Sequence, residues 1–112
     1  MCTYVTAQTS ASGSGKGAGG WFPLETTTVY FDHPVHAQAG HTMNIDFANP
    51  SRGAGSRVAV ELTAQSAVDL VRAVAQVLTD VPEDLTGVDA SRARRLLEAA
   101  SMLIPAGSAA QR

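Results

Sequence analysis

The sequence predicts an α+β fold, an antiparallel sheet of about four strands with helices on one face. Three observations predict it. Segments 26–31, 42–47 and 57–62 carry strand-forming residues, the last two in clear apolar–polar alternation. Two later segments repeat apolar residues at spacings of three and four. All the strands precede all the helices, an order suited to an antiparallel sheet rather than a parallel one.

Taken in chain order, Thr3–Gln8 reads as a short strand of mixed character. Residues 10–20 read as a glycine-rich loop, with Gly13, Gly15, Gly17, Gly19 and Gly20 in it. Trp21-Phe22-Pro23-Leu24 re-anchors that loop on the core. Thr26–Phe31 is the second strand and Thr42–Phe47 the third, with Met43, Ile45 and Phe47 on one face. Residues 49–56 are a turn-rich loop. Arg57–Leu62 is the fourth strand, with Val58, Val60 and Leu62 facing one way. A helix follows over Ala64–Leu78, with Thr63 as N-cap. Asp80–Gly87 breaks the pattern around Pro82. A second helix runs from Ala90 to about Leu103, capped by Asp89 and stopped by Pro105 and Gly107. The expected organisation is one domain over residues 1–104 and a frayed tail over 105–112.

Composition narrows the function classes. The chain has 112 residues, 45% apolar and 16% charged, with a net charge of -2. Residues 1–56 and 57–112 each carry about one net negative charge, so neither half is a basic arm. Only Arg92, Arg94 and Arg95 cluster, which argues against a nucleic-acid partner. One cysteine excludes an intramolecular disulfide framework. No run reaches the roughly 18–20 apolar residues of a membrane span. With no basic, then apolar, leader, the expected location is cytoplasmic.

The densest chemistry lies between the second and third strands. His33, His36 and His41 fall within nine residues. If Phe31 faces Met43, strand parity sets His33 opposite His41, with both rings on one side. His36, in the connection, folds over them. Converging imidazoles suit zinc or another divalent metal. In this register Asp32 and Asp46 point to the opposite face, although a bulge would bring Asp32 round as a catalytic partner. Cys2 is the second ingredient: a thiol near the amino terminus is a metal ligand or a nucleophile if the first strand pairs with the histidine hairpin. The alternatives are structural. His33 before Pro34 shapes the turn, His41 is a core-edge imidazole bonded to a carbonyl, and Cys2 is a small buried hydrophobe.

Gly13-Ser14-Gly15-Lys16-Gly17 fails the phosphate-loop pattern, lacking the earlier glycine and the following Ser or Thr. Lys16 remains a candidate for holding an anionic cofactor on a glycine-rich lid. The polar sheet face, with Thr28, Tyr30, Asp32, Asn44, Asp46, Arg57 and Glu61, is either a site for acid–base chemistry or a solvated surface.

Several strings together are distinctive: Met1-Cys2-Thr3-Tyr4, Gly15-Lys16-Gly17-Ala18 with Gly20-Trp21, Tyr30-Phe31-Asp32-His33-Pro34 with His41, Asn44-Ile45-Asp46-Phe47, and Arg57-Val58-Ala59-Val60-Glu61-Leu62. They resemble a family of small actinobacterial proteins of unknown function over about residues 1–78. The resemblance implies a bacterial protein that acts as an accessory to specialised metabolism, and assigns no catalytic residue. Two classes of function follow. One is a metal-binding protein or metal-dependent enzyme using His33, His36 and His41. The other is a non-catalytic homodimer that binds a small molecule.

Overall fold

The computed structural model describes residues 5–103. By contact the chain divides after Thr63 into a strand unit and a helical unit. The α+β class and the four-stranded antiparallel sheet are as the sequence predicts.

Among the described residues the strand unit holds six strands. They are β1 (Thr6–Ser10), β2 (Ser14–Gly17), β3 (Gly20–Pro23), β4 (Thr26–Asp32), β5 (Thr42–Ala48) and β6 (Arg57–Leu62). The main sheet is antiparallel in the order β1-β4-β5-β6. Val29 faces Ile45, and Phe31 faces Met43. Ile45 in turn faces Val60. Alternation then gives the sheet one apolar face, with Val29, Phe31, Met43, Ile45, Phe47, Val58, Val60 and Leu62 all half-buried. The other face carries the row Tyr30–Asn44–Glu61 across three strands. The first strand runs two residues past its expected end, to Ser10, with Gln8 opposite Thr28.

The segment 10–20 is not a free loop. Ser14–Gly17 and Gly20–Pro23 pair as a second, two-stranded sheet. The chain reverses over Ala18-Gly19, and Gly20 takes a φ of 109°, which glycine alone adopts without strain. The glycines that suggested flexibility permit close packing instead. A Cβ on Gly17 would lie 3.3 Å from the carbonyl oxygen of Arg57, and one on Gly15 would lie 2.9 Å from Leu24. Phe22, only 6% exposed, fills the space beneath the hairpin. Ala11 N–H to Glu25 O (3.0 Å) and Leu24 N–H to Gly13 O (2.8 Å) close its base. Phe22 does re-anchor the segment, but Trp21 is 70% exposed.

A 3-10 turn over Pro50–Arg52 precedes β6. Asn49 ties this turn to the hairpin: its Nδ2 donates to Pro23 O at 2.8 Å.

The helical unit holds α1 (Ala64–Asp80), the one-turn α2 (Glu83–Thr86) and α3 (Ala90–Ser101). The break around Pro82 thus contains a short helical turn, ended by Gly87 in the left-handed conformation. Asp89 caps α3 as expected, accepting from Ser91 N–H at 2.8 Å and Arg92 N–H at 3.2 Å. The helix ends at Ser101, short of Pro105 and Gly107, which lie outside the described residues. α1 and α3 pack directly on each other, with Ala75, Ala93 and Ala100 buried. No helix among the described residues is long and apolar enough to cross a membrane.

Candidate functional site

The register puts His33 opposite His41 just beyond the last paired residues, Asp32 and Thr42. The two rings stack, with centroids 4.4 Å apart and planes 30° off parallel. His41 also stacks on Phe31 at 5.6 Å and 15°. The three rings form a ladder that extends the apolar face of β4 past its end. His33 Nδ1 lies 2.9 Å from Gly40 O. A carbonyl oxygen only accepts, so Nδ1 carries the hydrogen, and in the neutral ring Nε2 then holds the lone pair.

That tautomer is one that metal-bound histidines commonly take. The stack itself fits a shared metal poorly. Lone pairs lie in the ring planes, and near-parallel stacked rings aim them side by side rather than at one point about 2.0–2.1 Å from each nitrogen. Among the described residues no group of three His, Cys, Asp or Glu is arranged to hold a metal ion.

The connection between β4 and β5 is held by a residue from a different strand. Val35 N–H donates to Glu61 Oε2 at 2.6 Å. His36 N–H and Ala37 N–H donate to Glu61 Oε1 at 3.0 and 2.9 Å. Three successive amides thus enclose one carboxylate, an anion-binding nest filled from within the chain. These hydrogen bonds hold the Glu61 pKa below its ordinary value, and the nearby His36 adds to the effect.

Pinned in this way, the connection lies over the end of the polar sheet face. Thr42 is 0% exposed there, and its hydroxyl donates to Asn44 Oδ1 at 2.6 Å. Beside them opens a cleft of about 380 Å³. Val35 and His36 form its rim, with Asp32 and His33 at the strand end. Tyr30, Asn44, Asp46, Arg57 and Glu61 form its floor. Arg57 Nη2 donates to Asp46 Oδ2 at 2.9 Å. That bond, with a smaller contribution from Tyr30, raises the Arg57 pKa above its already high value. Asp32 Oδ1 accepts from His33 N–H at 2.7 Å.

The expected site residues therefore separate. Asp32, His33 and His36 line one cleft, where the sequence had set Asp32 on the far face from the histidines. They meet because the cleft reaches the end of β4, where His33 follows the last paired residue. His41 belongs to the ring ladder and does not line the cleft. Lys16 sits on β2, paired with Trp21, and does not line it either. As part of a hairpin packed on the sheet, Lys16 is not on a lid. Cys2 lies outside the described residues.

The role of Glu61 was not anticipated. The sequence carries no signal for it, because amides in an exposed connection can equally be satisfied by water.

The fold and cleft define a small α+β protein with a roofed polar sheet face. The sequence profile of a family of unknown function, DUF6295, matches residues 1–87, and the chain belongs to that family. No curated protein and no solved structure matches the chain.

Proposed function

We propose that this chain is a small-molecule-binding protein whose ligand enters the cleft on the polar sheet face, beneath the histidine connection. The observation that carries this reading is the cleft's charge. Asp32, Asp46 and Glu61 face a single guanidinium, Arg57. Glu61 is committed to three amides and Asp46 to Arg57. The matching ligand is a small polar molecule with a cationic or hydrogen-bond-donating end.

A divalent metal at the histidines is the second reading, supported by the fixed Nδ1–H of His33. The actinobacterial source and the accessory role in specialised metabolism rest on the resemblance of motifs alone. A homodimer is supported by exposed Leu70, Val71, Val74 and Val77 along one stripe of α1. Light scattering would then read twice the 11.6 kDa chain mass.

Amide chemical shifts recorded with three probes, putrescine, acetate and zinc, test the cleft. Putrescine should move the signals of His36, Asn44 and Glu61 saturably, and acetate should leave them in place. If zinc alone moves signals, at His33 and His41, and a His33→Ala, His41→Ala variant loses zinc from the purified protein, the metal reading replaces this one. Silence with putrescine overturns the cleft reading.

A further inference from the structure

We propose that the outer side of the β2–β3 hairpin is a second binding site, for a nucleoside monophosphate, with Trp21 as the platform for the base and Arg52 and Lys16 as partners of the phosphate. The site shares no residue with the sheet cleft and does not rest on that reading.

The first observation is the exposed indole. Trp21 is 70% exposed, while the next residue, Phe22, is 6% exposed and already fastens the hairpin to the sheet. Folding of the hairpin is thus served by Phe22, and the neighbouring ring is left in water. Paired strands and a packed underside hold that ring on a stable base, the arrangement on which an aromatic base stacks with little loss of freedom.

Charge is the second. Lys16 lies directly opposite Trp21, so both side chains leave the same side of the hairpin, while Gly15 and Phe22 take the other. A cleft of about 370 Å³ adjoins the ring at the turn of the hairpin, lined by Trp21, Phe22, Arg52, Gly55, Ser56 and the 18–20 turn, with no acidic residue in its wall; Lys16 stands outside it, on the exposed side of the ring. Of the three cations described in the strand unit, Arg57 is paired with Asp46. Lys16 and Arg52 form no ion pair with a described residue. Glu25 accepts from Ser51 Oγ at 3.0 Å, next to Arg52 in sequence, and does not line the cleft.

A planar ring beside two uncommitted cations selects a planar anion over a neutral ring. The volume falls in the lower part of the range for small-molecule sites. A base with one phosphate satisfies both conditions.

Trp21 is the only tryptophan of the chain, so its fluorescence reports this site directly. Titrating the full chain with adenosine monophosphate should quench it saturably. Arg52→Ala, an exposed position, should weaken binding about tenfold, the order expected for losing a charged contact. Adenosine, without the phosphate, should bind more weakly by a similar factor. Trp21→Ala, followed through the phosphorus resonance of the nucleotide, should lose binding while circular dichroism shows an intact fold. The proposal is overturned by absent quenching at millimolar nucleotide, by equal binding of adenosine, or by an unaffected Arg52→Ala variant. Much tighter binding of a short single-stranded oligonucleotide would overturn the assignment to a free nucleotide.

Discussion

The main sheet has two excursions, and they are fastened by different physics. The β2–β3 hairpin is regular. It is paired along its own backbone, closed by amide–carbonyl bonds at its base and filled underneath by Phe22. The connection from His33 to His41 has no regular structure; its ends meet in the His33–His41 stack, and its middle is held by one carboxylate, Glu61, on three amides. Packing resists acid and salt, whereas a charge on amides depends on its ionisation. The glycine-rich segment is therefore the more robust of the two, the reverse of what its composition implies.

Three substitutions probe that contrast. The largest loss should come from Phe22→Ala, which empties the space beneath the hairpin and lowers stability by about 3–5 kcal/mol in denaturant unfolding. A smaller loss than that of any loop variant would break the comparison. Glu61→Gln comes second. It removes the charge while keeping the shape, so hydrogen exchange at Val35, His36 and Ala37 should quicken several-fold while amides of the β2–β3 hairpin exchange as before. The same anchor gives a pH signature. The folded-state pKa of Glu61 lies below the ordinary value of 4.5, so its contribution is complete above that value and is lost as pH falls through the lower, folded one. The three amide resonances should accordingly shift with a midpoint below pH 4.5, and a midpoint above it would contradict the nest. Smallest is Asp46→Asn. The Asp46–Arg57 pair is 2.9 Å long but the Arg57 side chain is half exposed, so its loss should lower the thermal unfolding free energy by no more than about 1 kcal/mol.

What was legible in the sequence follows the same division. Strands β5 and β6 were legible because their side chains alternate, which fixes both face and register, and β4 because it is a run of strand-forming residues. The prediction that His33 meets His41 came from that parity alone, and the stacked rings are its result. The β2–β3 hairpin was illegible because glycine carries no side chain to alternate, and its pairing depends on backbone and on contact with β6. The polar face was foreseen residue by residue, but not its roof. Arg57 and Glu61 lie two rows apart on the polar face of β6, and alternation places them there without naming their partners. In the structure each has its own partner, Asp46 for the cation and the 35–37 amides for the anion. Those partners come from β5 and from a connection more than twenty residues upstream, a distance that local pattern does not span.

The helical unit is keyed by methyl groups. Where α1 meets α3, the buried positions are Ala75, Ala93 and Ala100. Small residues at such a crossing let the two backbones approach closely, and they leave no rotamer to adjust when something larger arrives. The pair thus behaves like a lock with very short pins. Any single enlargement at the seam must move a whole helix rather than one side chain.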